Sequence, residues 1–227
     1  MEQRTDEWYL ARKGKMTASE IFQVLSSARS KSGASPFSGT ATTWLNHKVA
    51  ERFMPAAAFL EDMELRQMKG AAIRHGETFE AEARNKYAEK MGYEVYEVGF
   101  IDMPGNEDFC GGSPDGMIRE EEGIIEIKCP FNGEVHQDYL MMETPDELKS
   151  YNLQYYSQMQ YNMMVTETKF CDFISYDPRT DEDLCMKVLR IPYDKEFCDN
   201  LSERIEMAKT YIVERMNAIN NSKTTVL

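Results

Sequence analysis

The segment Ile124-Ile125-Glu126-Ile127-Lys128-Cys129 constrains this chain more than any other. Its isoleucines read as a strand buried in a sheet, yet a glutamate and a lysine are set among them. Charged groups in such a strand cost free energy unless something pairs them. Residues two apart in a strand share a face, so Glu126 and Lys128 point the same way. Upstream lie Ser113-Pro114-Asp115-Gly116 and the short run Met117-Ile118-Arg119, followed by Glu120-Glu121-Glu122-Gly123. That last group predicts a hairpin loop. With Arg119 opposite Ile124, Met117 faces Glu126 and Asp115 faces Lys128. Asp115 then shares the face of Glu126 and lies diagonal to it, about 7–8 Å away at the backbone.

Two carboxylates and a lysine on one surface suit metal-assisted hydrolysis of a phosphodiester. Hard oxygen ligands select magnesium or manganese. Such an ion would polarise the phosphate and acidify a water, and the lysine would orient that water and steady the developing charge. Pro-Asp-Gly alone is ordinary turn chemistry, and Glu126 with Lys128 alone could be a surface pair; the joint pattern is the specific signal. Glu80 is a candidate third carboxylate. It falls on the stripe Ile73, Gly76, Glu80, Ala83, Tyr87 of a helix over 70–91, with a solvated glutamate as the alternative. On a helix predicted over 146–165, Tyr151, Tyr155, Gln158 and Asn162 form a polar-aromatic stripe. It suits either a site or hydrogen bonds to core backbone.

The rest of the chain frames these residues. Its 227 residues suit one α/β or α+β domain spanning 1–227. Thr17-Ala18-Ser19-Glu20 has the form of a capping box, so a helix is expected from Ser19. Residues 26–39 read as a flexible Ser/Gly/Ala-rich loop. Helices are expected over 40–53 and 56–91, with a break at Gly70 and a stop at Gly92. Strands are expected over 93–98, 168–176 and 184–191, then a helix over 194–219 and a polar tail from about 220. Helices then flank a short mixed sheet. The methionines, Met141-Met142 and Met163-Met164 included, read as core filler. The five cysteines are scattered with no CxxC pair and read as reduced, buried thiols. The three histidines are scattered too and give little support to a histidine metal site.

No run of about 18 apolar residues exists, and no apolar signal region opens the chain, so a cytoplasmic location and no membrane are expected. The formal charge of −13 argues against a nucleic-acid partner only on average. Residues 1–52 carry 8 basic and 5 acidic side chains, and the excess of acid lies beyond them.

The residues now resemble a known family. Asp115…Glu126-x-Lys128 is the PD-(D/E)xK nuclease pattern. Its flanks, Ser113-Pro114-Asp115-Gly116 and Glu126-Ile127-Lys128-Cys129-Pro130, are similar to those of the lambda exonuclease and YqaJ-like viral recombinase family. Trp8-x-x-x-Arg12-x-Gly14-x-x-Thr17-Ala18-Ser19-Glu20, Gly76-x-x-Phe79-Glu80, Gln158-x-Gln160-Tyr161 and Phe173-x-x-Tyr176-Asp177-Pro178-Arg179 resemble further motifs of that family, over roughly residues 8–180.

The resemblance implies a restriction-endonuclease-like core. It implies a magnesium-dependent exonuclease, with manganese able to substitute and two ions per site, that degrades one strand of linear duplex DNA from its 5′ end. The product is a 3′ overhang for recombination. It also implies a homotrimeric ring around DNA and a single-strand annealing protein as partner, in the host bacterial cytoplasm if the chain is phage-encoded. By motif match, Asp115, Glu126 and the Ile127 carbonyl hold metal, Lys128 orients water, Glu80 and Gln158 complete the site, and Tyr155 sits nearby. One departure is visible. Lambda exonuclease has an arginine soon after its Cys-Pro, whereas Cys129-Pro130 here continues Phe131-Asn132-Gly133-Glu134.

An endonuclease on the same core, an iron–sulfur relative and a non-catalytic DNA-binding protein are the rivals. The scattered cysteines count against the second, and the intact Asp115, Glu126 and Lys128 against the third. A 5′-phosphate pocket is expected from Arg12 and Ser19 at the start of the first long helix, with Ser113 on the other side.

Overall fold

The computed structural model describes residues 1–28, 36–66 and 70–224. A five-stranded sheet forms the frame. Its strands are β2 (Val95–Tyr96), β5 (Gly116–Ile118), β6 (Gly123–Lys128), β7 (Phe170–Tyr176) and β8 (Met186–Pro192), in that spatial order. Neighbours are antiparallel except β6 and β7, which run parallel. A second, three-stranded sheet has the order β1 (Met16–Thr17), β4 (Cys110–Gly112), β3 (Ile101–Asp102). The sequence pattern did not announce these short pairs: two of the three β4 residues are glycines, and Gly111 lies so close to the Phe100 ring and the Ile101 carbonyl that a Cβ would collide with both.

Alternation along β6 sorts the core. Ile124 packs with Phe173 and Ile191 against Met159 and Met163 of α7 (Leu153–Thr166). Ile125 and Ile127 face the other way, with Ala83 and Tyr87 of α4 (Ala71–Met91). Glu126 and Lys128 therefore lie on the α7 face. A third cluster joins Met16, Ile21, Leu45 and Val49 to Leu201, Ile205 and Ile212 of α8 (Lys195–Thr224).

Several expectations need correction. The hairpin register is shifted by two: Met117 is level with Ile124 and Gly116 with Ile125. Arg119 leaves the ladder because its N–H donates to the Glu94 carbonyl, and Glu120 closes the turn in the left-handed region at φ 65°. A shift of two preserves the faces, so Asp115 still shares the face of Glu126 and is now level with it. The helix near residue 19 is a 3-10 helix, Ala18–Leu25, capped by Thr17 with no side-chain cap bond, so the capping box is not made. The helix over 146–165 is two, α6 (Pro145–Tyr151) and α7, divided at Asn152, whose side chain caps α7 at the Tyr155 N–H.

A further helix, α5 (Gly133–Leu140), was not expected. The Gly70 and Gly92 boundaries hold: α3 (Ala56–Arg66) precedes α4, Gly70 caps it, and Gly92 ends it at φ 70°. Of the Ser/Gly/Ala-rich loop, residues 29–35 lie outside the described residues. Residues 225–227 do too, while 220–224 are helical rather than frayed. Met142 and Met163 are core, but Met141 is 80% exposed. All five cysteines are free and buried.

Candidate active site

At one end of the large sheet, between α4 and α7, opens a cleft of about 820 Å3. Ile73, Gly76 and Glu80 line it from α4, Tyr155 and Gln158 from α7, and Asp115, Glu126, Ile127 and Lys128 from the hairpin. The α4 stripe thus divides: Ala83 and Tyr87 enter the core, while Ile73 is exposed at the cleft. Tyr151, expected on the α7 stripe, is on α6 and donates to Asp138 instead.

The hydrogen bonds fix each group. The Ile127 N–H donates to Asp115 Oδ2 at 2.7 Å, pinning that carboxylate against β6. Glu126 Oε1 accepts from Lys128 Nζ at 2.5 Å and from Gln158 Nε2 at 2.6 Å. Lys128 Nζ also lies 4.6 Å from the centre of the Tyr155 ring, a cation–π contact. Glu80 is held by Arg4 at 2.5 Å and by Arg84 at 3.0 Å. Arg84 also donates from Nε to the Asp115 carbonyl at 2.9 Å, so one guanidinium positions two carboxylate-bearing residues.

Sequence reasoning missed both arginines. Arg84 stands four residues after Glu80, a spacing that could have revealed it. Arg4 carried no such signal.

The electrostatics are those of a site short of positive charge. Burial, then the Glu126 charge, pushes the Asp115 carboxyl well above the usual carboxylate range. Burial also raises Glu126, with Lys128 opposing it. Lys128 is pushed up despite its own burial, because Glu126 and then Asp115 favour its charge. Glu126 is 1% exposed, and its Oε2 makes no hydrogen bond of good geometry, with only the Asn162 side chain near it. A carboxylate oxygen so poorly bonded, beside a second raised carboxyl, fits a divalent cation. Among the described residues, no three His, Cys, Asp or Glu side chains converge into a ready-made cage. The donor set fits an ion that keeps several waters, as magnesium does.

The three residues expected at a DNA end lie beside this cleft. Ser19 lines both the cleft and an adjoining cavity of about 240 Å3, which Arg12 and Thr17 also line. Arg12 stacks on Trp8 at 4.0 Å and donates to Thr17 Oγ1 at 3.3 Å. Ser113 lines neither space; it accepts from Trp8 Nε1 at 2.9 Å and so joins Arg12 through the indole.

The family model described as YqaJ-like viral recombinase domain matches residues 7–169. Among solved structures, the chain is similar to an alkaline exonuclease from Laribacter hongkongensis, with 27% identity, a TM-score of 0.77, and coverage of 98% of this chain and 100% of that one. The same exonuclease in complex with dAMP gives a TM-score of 0.76 at the same identity and coverage. A phage-related exonuclease from Haemophilus somnus shares the fold at 18% identity and a TM-score of 0.67, covering 90% of this chain and 96% of that one. No curated protein sequence matches. The mixed sheet flanked by helices is thus the restriction-endonuclease-like fold.

Proposed function

This chain belongs to the YqaJ-like viral recombinase domain family, and from that premise we propose that it is a divalent-cation-dependent exonuclease of linear double-stranded DNA. It degrades one strand from 5′ to 3′ and leaves a 3′ overhang for strand annealing. The observation that carries the reading is the buried pair Asp115 and Glu126, with the poorly bonded Glu126 Oε2, beside Lys128 in an open cleft. The resemblance to alkaline exonucleases supports the class of reaction.

Asp115, Glu126 and the Ile127 carbonyl would hold magnesium or manganese, two ions per site. Bound there, the cation supplies a Lewis acid for the scissile phosphate and acidifies water. Lys128, kept charged by Glu126 and Asp115, places a proton donor where an attacking water must be oriented. Gln158 fixes the Glu126 rotamer, and Tyr155 limits where the ammonium can go. Glu80, clamped by two arginines, completes the acidic wall.

A homotrimeric ring and a single-strand annealing partner are part of the proposal. The support is the family resemblance, together with the way heterologous contacts close into rings. Sedimentation showing only monomer at working concentration would remove the ring.

The test of the reaction is digestion of linear duplex labelled at its 5′ or its 3′ end, with magnesium and with chelator, beside supercoiled plasmid. Magnesium-dependent release of the 5′ label from linear DNA only is expected. Cutting of the supercoiled plasmid would favour an endonuclease. For the end pocket, Arg12→Ala is expected to slow 5′-phosphorylated ends much more than 5′-hydroxyl ends. Equal slowing of both makes Arg12 a general DNA contact.

A further inference from the structure

The active-site cleft contains a cation that the nuclease motif does not account for. Among the described residues that line it, Arg4 and Lys128 are the cationic ones, facing the four carboxylates of Glu77, Glu80, Asp115 and Glu126. Lys128 is committed to Glu126, and its side chain is 21% exposed. Arg84, behind the wall, is 12% exposed and already bonds Glu80, Glu97 and the Asp115 carbonyl. Arg4 differs from both. Its side chain is 42% exposed, and it pairs with Glu80 at 2.5 Å and Glu77 at 3.6 Å. Glu80 keeps Arg84 if Arg4 departs.

The backbone that presents Arg4 is pinned. Arg4 has φ 66°, the left-handed region that favours glycine, so something must hold a residue with a Cβ there. Gln3 Nε2 donates to the Val98 carbonyl at 2.7 Å and to the Pro114 carbonyl, next to Asp115, at 3.1 Å. Thr5 then caps α1 (Asp6–Arg12) at the Trp8 N–H. Left-handed residues cluster where a side chain must be aimed, and this one is aimed at the cleft.

We propose that Arg4 is a DNA-phosphate ligand of this cleft: paired with Glu80 in the free protein, it turns to a backbone phosphate of the bound strand. The inference rests on the nuclease reading of the same site. An anionic backbone entering a wall of four carboxylates needs a mobile cation near its path. Arginine can meet two phosphate oxygens with parallel donors, and no lysine or arginine follows Pro130 on the opposite rim before Lys149 of α6.

The test is Arg4→Gly, which removes the cation and suits the left-handed turn, alongside Arg4→Lys. Binding of a fluorescent 5′-phosphorylated duplex is measured in Ca2+ over a salt series, with magnesium-dependent digestion of the same duplex. Arg4→Gly is expected to bind about tenfold more weakly at low salt. The slope of log affinity against log salt should fall by about 0.9, the value for one phosphate contact. Arg4→Lys should recover most of the slope. Wild-type digestion with an unchanged slope in Arg4→Gly overturns the role of Arg4 alone. So does a lowered Tm without a change of slope, because that marks a purely structural arginine. Failure of the wild-type protein itself to digest DNA overturns the nuclease reading, and this inference with it.

Discussion

Two buried carboxylates sit on neighbouring strands of one sheet and are treated in opposite ways. Asp172 on β7 is level with Ile125 of β6, so it faces away from Glu126. Arg190 donates to both of its oxygens at 2.8 Å, and the Tyr87 hydroxyl donates at 2.6 Å. Glu126 has both of its short bonds on one oxygen, and the other has only the Asn162 side chain near it, in poor geometry. Asp172 is 0% exposed and Glu126 1%, so burial does not separate them. A carboxylate that serves the fold is satisfied by the protein. The one proposed to hold a cation is left short of partners by the protein itself.

The largest expected effects come from swapping these fates. Glu126→Ala or Asp115→Ala should abolish cleavage while the chain stays folded, because each removes a proposed metal ligand rather than core volume. Asp115→Asn should be as stable as the wild type or more so, because it ends a repulsion and can still accept from the Ile127 N–H. Asp172→Ala should lose about 2–4 kcal/mol in urea unfolding, because the buried Tyr87 hydroxyl and Arg190 lose their partner. The lower part of that range reflects Arg190, which is 45% exposed and can turn to water. Equal losses of stability at positions 115 and 172 would erase the distinction.

The two carboxylates were not equally legible. Glu126 stood out because a charged residue among isoleucines is anomalous in a buried strand. Phe170-Cys171-Asp172-Phe173 carries the same anomaly, but no motif surrounds it and its partners lie 85 and 18 residues away. The expected hairpin register differs by two residues from the observed one, yet both put Asp115 on the face of Glu126, because faces repeat every two residues. Glu80 emerged from helical periodicity, although only the Ala83–Tyr87 half of its stripe is core. Arg4 could not be found this way: a positive φ and a side-chain peg to Pro114 belong to the fold, not to local pattern. The break at Asn152 was hidden because helical periodicity continues on both sides of it.

Protonation sharpens the comparison. Burial and mutual repulsion raise the folded-state pKa of Asp115, and burial raises that of Glu126. The native protein then binds more protons here than the unfolded chain does, so their contribution to stability declines as pH rises through the raised range. Asp177 has the opposite sign. Hydrogen bonds from Arg179 lower its pKa, so its contribution is present at neutral pH and lost as pH falls through the folded value. A divalent cation must displace protons from Asp115 and Glu126, so its stabilising effect should grow with pH. Ca2+ at one fixed concentration, a hundred times its Kd at pH 8, should add about 2.7 kcal/mol at pH 8 and clearly less at pH 5.5. Thermal melts with chelator and with Ca2+ measure this. A cation effect that survives in Asp115→Ala with Glu126→Ala would place the ion elsewhere.

The smallest effect expected is at Asn152, which joins the two regimes. Its side chain accepts from the Tyr155 N–H at 3.0 Å and starts the helix that carries both Tyr155 and Gln158. Losing such a cap costs about 1 kcal/mol. Asn152→Ala should therefore lower stability by about that amount. The helix beyond its first turn is locked independently, because Met159 and Met163 are wholly buried against the sheet. Gln158 lies past that first turn and should keep its bond to Glu126, whereas Tyr155 lies within it and should loosen its hold on Lys128. Turnover should fall only a fewfold, with the loss in kcat rather than in DNA affinity, since the group disturbed acts on a proton donor. Tyr155→Phe keeps the ring and the cation–π contact and should leave kcat nearly unchanged. If Tyr155→Phe is as slow as Asn152→Ala, the hydroxyl itself takes part, and Tyr155 belongs with the residues left short for the reaction rather than with those that frame it.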